Sequence, residues 1–310
     1  MTERVRPRLV VLRALKLGDF LTGIPALRAL ARAYPGHERI LAAPAHFQEL
    51  LQQTGMERIH DTSDLSPLGP ELHGADIAVD LHGRGPESQR LLLALEPRRL
   101  LSFRHADVPS TDGSPIWRPD EHEISRWCRM LTENGIPADP SDMKLDASGL
   151  PPSPSPGATV VHPGAASQAR RWPPERFAAV AREEAGAGRP VVVTGSRGEA
   201  ALARTVADLA GLSPDHVLAG CTTLAGLASL VASAGRVVSG DTGIAHLASA
   251  TGTPSVVIFG PIPPSEWGPP ESPLHLPLWA GRRGDPHGEH TDPGLLEITV
   301  SDVLAALRRL

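Results

Sequence analysis

"SGDTGIAHLASATGTPSVVIFG", residues 239–260, places one carboxylate, Asp241, one hydroxyl, Thr242, one glycine, Gly243, and one imidazole, His246, at the head of an otherwise small and apolar run. The residues before the turn, "GRVVSG", read as a short buried strand, and "TPSVVIFG" reads as the next one. The middle is therefore a strand-to-helix turn, the unit from which parallel α/β sheets are built. A helix beginning at Asp241 would offer the free N–H groups of Thr242, Gly243 and Ile244, and a positive dipole end, to an anion such as a diphosphate. The competing reading is purely structural, with Asp241 an ordinary N-cap and His246 a core histidine.

The same alternation extends in both directions. Upstream, "RLVVLRA" (8–14), "RILAA" (39–43), "ADIAVDL" (75–81) and "RLLSF" (99–103) read as strands, and Leu21, Ile24, Leu27, Leu30, Ala31 and Tyr34 recur at helical spacing. Pro25 either kinks that helix or marks its true first turn. A second helix, from about Glu121 to Asn134, ends at Gly135. The proline-rich "SGLPPSPSPG" (148–157) follows and reads as a semi-rigid linker. Strand and helix patterns then restart at "ATVVHPG" and continue to a terminal amphipathic helix, "TVSDVLAALRRL", with Ser301 or Asp302 as its cap. The expected layout is an α/β chain with a first domain over 1–150, a linker over 151–157, a second domain over 158–298 and a closing helix over 299–310. Two such open sheets leave a cleft at the carboxyl ends of their strands, where ligands bind.

Composition narrows the classes. The chain has 310 residues, enough for two cores, and a net charge of -5, which argues against a nucleic-acid partner. All but two of its 30 basic residues are arginine, so an arginine is expected to fill roles that lysine fills elsewhere. Its two cysteines, Cys128 and Cys221, have no metal or redox spacing and suit a reducing cytoplasm. The opening "MTERVRPRLVVLRALKLGDF" is too polar for a signal peptide, and no run approaches the length of a membrane span. Arg6, Arg8 and Arg13 form too small a basic cluster for a membrane patch, so at most peripheral membrane contact is expected.

Four further stretches could carry chemistry. "LKLGDFLTGIPAL" (15–27) would put Asp19 at the carboxyl edge of the first strand, as a proton acceptor for an incoming hydroxyl, as an N-cap, or as both. "HPGAASQARRWPPERF" (162–177) sets Arg170 and Arg171 beside a small-residue turn, where a guanidinium can fork onto phosphate or simply face solvent. "VVVTGSRGEAAL" (191–202) has no G-x-G-x-x-G spacing, which argues against a dinucleotide dehydrogenase; its Glu199 would hold a ribose hydroxyl or favour the helix dipole. "DPHGEH" (285–290) contains metal-capable side chains but lies in a Gly/Pro stretch without ligand spacing, and reads as a mobile surface loop.

Three blocks, "GDFLTGIPALRAL", "HPGA" with "RRWPPERF", and "SGDTGIAHLASATGTPSVVIFGP", stand in the order found in the heptosyltransferase-like glycosyltransferases of family 9, and the chain resembles that family from near its start to its end. The resemblance implies a GT-B fold, two Rossmann-like parallel-sheet domains facing a central cleft. It implies an inverting enzyme that moves a heptose or hexose-like sugar from a nucleotide diphosphate, most readily ADP, to a hydroxyl of a glycan or lipid-linked acceptor. The expected location is the cytoplasm or the inner face of the membrane, with no tightly bound cofactor or metal. By resemblance Asp19 is the general base, and Asp241, Thr242 and Gly243 meet the donor, with His246 supporting their turn. Glu199 falls at the ribose, Thr222 at the base pocket, and His82 and Arg84 of "DLHGRGPESQR" near the acceptor. Arg170 stands where relatives often have a phosphate-binding lysine. Ala165 and Ala166 replace loop hydroxyls, leaving Ser167 as the near donor contact. A nucleotide-sugar epimerase or hydrolase on the same fold, or a non-catalytic nucleotide-sugar-binding protein, remain the alternatives.

Overall fold

The computed structural model describes residues 6–310, in two compact units that divide between Met143 and Lys144. Residues 1–5, the beginning of the stretch read above as no signal peptide, lie outside the described residues. The division falls ahead of the proline-rich stretch rather than within it. The reason is local: Leu145 N donates to Ala250 O (2.8 Å) and Ser229 Oγ to Pro151 O (2.5 Å), so these residues belong to the second unit.

The first unit is a five-stranded parallel sheet, β1 (Arg8–Leu12), β2 (Glu38–Ala43), β3 (Arg58–Asp61), β4 (Ile77–Asp80) and β5 (Arg99–Leu101), in the order β3-β2-β1-β4-β5. Central β1 buries Leu9, Val10, Val11 and Leu12 completely, as a strand covered on both faces must. Its helices are α1 (Leu17–Ala33), α2 (Glu87–Leu93) and α3 (Glu123–Glu133). Pro25 lies in the interior of α1, so it is not the first turn. α3 presents Ile124, Trp127, Cys128 and Leu131 to the core and is followed by Gly135 at φ 85°.

The second unit repeats the plan with β6 (Thr159–His162), β7 (Val191–Val193), β8 (Arg236–Gly240), β9 (Ser255–Phe259) and β10 (His275–Trp279), in the order β10-β9-β8-β6-β7, all pairs parallel. Its helices are α4 (Pro174–Gly186), α5 (Ala200–Ala210), α6 (Leu224–Ala232), α7 (Gly243–Thr251), α8 (Pro264–Trp267), α9 (Pro293–Glu297) and α10 (Val300–Leu307). Thr299, not Ser301, caps α10, with Asp302 completing a capping box. No helix among the described residues is long and apolar enough to cross a membrane.

Strand order fixes where ligands can reach the backbone. In each sheet the chain winds one way and then jumps across its first strand. The jump leaves a crevice at the carboxyl ends of β1 and β4 in one unit, and of β6 and β8 in the other. Asp19 and His82 follow β1 and β4, and Arg170 and Asp241 follow β6 and β8.

Candidate active site

In the second unit the turn after β8 differs from the sequence reading by two residues. α7 begins at Gly243 with Thr242 in the N-cap position, and the Thr242 side chain makes no capping bond. Asp241 is therefore not the cap. Its carboxylate is buried and accepts from Arg170 Nη2 at Oδ2 (2.6 Å), and the same nitrogen reaches the Asp241 backbone oxygen (2.5 Å). The pair joins the turn after β6 to the turn after β8 and holds the guanidinium at the head of α7.

Around that head lie polar atoms with no hydrogen-bond partner: Ser239 Oγ, Thr242 Oγ1 and Arg170 Nε, all buried. Buried polar groups are ordinarily satisfied, because leaving one unmade costs about 1–3 kcal/mol. Two hydroxyls and a guanidinium N–H left over beside the N-terminus of a helix are donors suited to an anionic oxygen. His246, in the second turn, is buried and meets the Trp267 ring edge-on at 5.8 Å, so it backs the turn rather than facing out of it.

Ser167 does not join this group. Its hydroxyl donates to Pro286 O (2.6 Å), and Ala169 N donates to Gly288 O (3.2 Å). The segment 285–290 is thus not a free surface loop: it is hydrogen-bonded along the turn that carries Arg170. Among the described residues no three metal-capable side chains come together there or elsewhere. Arg171 turns back to Ala165 O (3.1 Å).

Glu199 accepts from Ser196 N and Oγ (both 2.8 Å) in a capping box at the turn after β7. Its other oxygen lies against Gly164, where an added Cβ would stand 2.2 Å away. Burial pushes its carboxyl up, but the Ser196 bonds and the neighbouring charges outweigh this and hold it below the usual carboxylate range. His162, bonded to Thr194 Oγ1 (3.0 Å), is held low by burial. Gly220 N donates to Gly195 O (2.9 Å), so the segment leading to half-buried Thr222 docks on the Glu199 turn. Thr223, one residue on, caps α6.

In the first unit Asp19 sits in the opening turn of α1, partly buried. Burial raises its pKa, Arg13 opposes that, Glu123 adds to it, and hydrogen bonds from the N–H groups of Lys16 and Asp19 itself lower it again. Asp19 is therefore a helix-start carboxyl of raised proton affinity. In the same unit, Asp80 ends β4 and is fully buried, accepting from His82 N (2.9 Å) and Ser88 Oγ (2.7 Å), and burial pushes it up to about 6. His82 is lowered to about 4 by burial and then by Arg13, and its Nδ1 is buried without a hydrogen-bond partner. A neutral imidazole with an open ring nitrogen can bond a hydroxyl. Arg84 is exposed on the same turn.

The sequence reading missed Arg13, Asp80 and Ser239. Arg13 does not share the setting of Arg6 and Arg8, the other members of the small basic cluster: it is 1 % exposed, while Arg6 pairs with Glu57 and Arg8 bonds backbone carbonyls. A charged residue directly after a fully apolar strand was the available signal.

A model of glycosyltransferase family 9 (heptosyltransferase) matches residues 119–283, more than half of the chain. No curated protein matches it in sequence. Among solved structures, it is similar to the E. coli ADP-heptose LPS heptosyltransferase II (22 % identity, TM-score 0.77, covering 97 % of each chain). It is also similar to a family 9 glycosyltransferase from Veillonella parvula (19 %, TM-score 0.76, covering 99 % of this chain and 97 % of that one). A third similar structure is E. coli heptosyltransferase WaaC with ADP (20 %, TM-score 0.71, covering 97 % and 99 %). The structural likenesses show the GT-B fold, and the family model matches the segment that holds the Arg170–Asp241 pair and the head of α7. The chain belongs to glycosyltransferase family 9, the heptosyltransferase family, and is a glycosyltransferase.

Proposed function

We propose that this protein is an inverting glycosyltransferase that uses an ADP-linked heptose or hexose-like sugar and a glycan or lipid-linked acceptor. The observation that carries the donor half is the set of buried, unpartnered donors at the head of α7: Ser239 Oγ, Thr242 Oγ1 and Arg170 Nε. The similarity to WaaC, solved with ADP, favours an adenosine diphosphate there. Thr242, Gly243 and Asp241 meet the sugar and diphosphate, Glu199 the ribose, and Thr222 the base. Ser167 is left with a supporting part, since its hydroxyl is already given to Pro286.

The first unit supplies the base. Asp19 takes the proton of the acceptor hydroxyl while that oxygen attacks the anomeric carbon from the face opposite the nucleoside diphosphate. The bond to the departing diphosphate breaks as the new glycosidic bond forms, which inverts the centre. Arg170 and the N-terminus of α7 take up the charge that develops on the leaving phosphate. His82 and Arg84 are the acceptor contacts, His82 through its open Nδ1. The expected site of action is the cytoplasmic pool of nucleotide sugars.

Asp19→Ala tests this division of labour. Transfer should fall by about a hundredfold or more, the usual contribution of a general base, while ADP binding by calorimetry stays at the wild-type value. Full turnover in the variant removes Asp19 from the base role. Rapid donor hydrolysis or isomerisation by the wild type without any acceptor points to a hydrolase or epimerase instead.

A further inference from the structure

We propose that Arg13 is a positioning residue for the reaction: its buried guanidinium locks the first turn of α1, which carries Asp19, onto the end of β4, which leads into His82. The proposal deepens the assignment of Asp19 as base and rests on it. Arg13 follows the last residue of β1, and Leu12 pairs with Asp80 across the β1–β4 ladder. Its side chain is wholly removed from solvent and its donors are spread over three elements. Nε donates to the Asp19 backbone oxygen and Nη1 to the Leu81 backbone oxygen. Nη2 reaches Thr22 Oγ1 (3.0 Å) and Glu123 Oε1 (3.3 Å). Thr22 Oγ1 donates to the same Asp19 oxygen (3.0 Å), so that carbonyl is held from two sides.

The surroundings are shaped for this side chain. At Gly23 a Cβ would stand 2.6 Å from Arg13 Nε, so glycine is what lets the guanidinium lie on α1. Trp127 covers it, with the guanidinium carbon 5.2 Å from the ring centroid. Glu123, the countercharge, is oriented by Trp127 Nε1 (2.6 Å) and by Arg126, whose guanidinium stacks over Trp117 (4.3 Å). A buried ion pair is a poor way to add stability, since an apolar replacement of similar volume is often as stable or more so. What this one provides is a fixed direction for an arginine fork between two site-bearing turns.

The charged groups act on Asp19 with opposite signs. Burial pushes its carboxyl up, the Arg13 guanidinium on β1's end pulls it down, Glu123 on α3 pushes it up again, and the N–H groups of Lys16 and Asp19 pull it down. Arg13 acts on the neighbouring Asp80 and His82 as well. A merely structural Arg13 and Glu123 would fail together and in the same way. A positioning pair must separate when each charge is removed.

The test is a carboxyl NMR titration of the full chain labelled with carbon-13 at its aspartate side chains, the Asp19 signal being identified by its loss in Asp19→Asn. In Arg13→Gln the Asp19 midpoint is expected to rise by about one pH unit or more, and in Glu123→Gln to fall. Arg13→Lys, which restores the charge without the fork, should return it to within about half a unit of the wild type. In the same variant hydrogen exchange in the first turn of α1 should quicken by about tenfold, because one ammonium cannot hold the Asp19 and Leu81 oxygens together. Unchanged exchange in folded Arg13→Lys also overturns the proposal. Midpoints that stay in place in folded Arg13→Gln and Glu123→Gln, or that move in the same direction, overturn the proposal. If Arg13→Gln does not fold, Glu123→Gln, which keeps shape and an acceptor for Trp127, decides alone by moving down or not. The readout needs no substrate: retained transfer in Asp19→Ala would sink the base assignment and leave these midpoints untouched.

Discussion

Asp80 shows how one burial decision sets a residue's behaviour. It ends the fully covered strand β4, so its carboxyl has no water, and the hydrogen bonds from Ser88, His82 and Gly83 together with the Arg13 charge do not make up the difference. Its pKa is raised from 3.8 to about 6. The folded state therefore holds its proton over a range where the unfolded chain has released it. Stability contributed by this group is complete below pH 4 and is lost as pH rises through about 6. Asp80→Asn, which keeps an acceptor for His82 N, should raise stability above that window by about 3 kcal/mol and do little below it; urea denaturation at pH 4 and pH 8 measures the difference. A variant that is less stable at pH 8 would mean the ionised carboxylate is needed there. Of the proposed site residues, the placement of Asp19, Arg170 and Asp241 at strand ends was legible because each stands beside a glycine or small residue where a strand turns into a helix. Arg13 and Asp80 were not, since burial of a charged side chain depends on which strands are neighbours, and sequence spacing carries no strand order.

At the scale of elements, strands with unbroken apolar runs were readable, the edge strands β5 and β7 included, and the polar or proline-containing edge strands β3 and β10 were not. "RIHD" of β3 is polar because it borders the sheet, and "HLPLW" of β10 contains Pro277, which an edge strand tolerates. The start of α7 was placed two residues early because an Asp before a helix is an ordinary cap. Only the Arg170 pairing, 71 positions away in the chain, withdraws it. α1 invites a direct test of its packing. In Gly23→Ala the new methyl meets Arg13 Nε at 2.6 Å and Cδ at 2.7 Å, and Arg13 is bonded on all sides and cannot retreat. Overpacking costs about 1–3 kcal/mol, which exceeds the gain of about 1 kcal/mol that alanine has over glycine within a helix. The urea midpoint should fall; a rise would mean that the guanidinium moves freely.

For the molecule as a whole, the division into two α/β units and the family were legible from three ordered blocks, because tight strand-to-helix turns with a buried carboxylate or guanidinium admit few residue types. The position of the division was not: the proline-rich stretch looked like a linker, and the hydrogen bonds that tie it to α6 and its C-terminal cap, and the preceding Leu145 to α7, cross residues far apart in sequence. The central claim is that the second unit is a nucleotide-sugar site built at the head of α7. The most direct measurement is the thermal unfolding of the full chain with ADP, UDP, GDP and dTDP and their sugar conjugates, repeated on Asp241→Ala against its own ligand-free midpoint. A ligand that binds only the folded state adds about 2.7 kcal/mol when present at a hundred times its Kd. The account predicts that the adenosine compounds raise the midpoint, and that Asp241→Ala loses the part that depends on the sugar. No shift with any of the four at saturating concentration would contradict it.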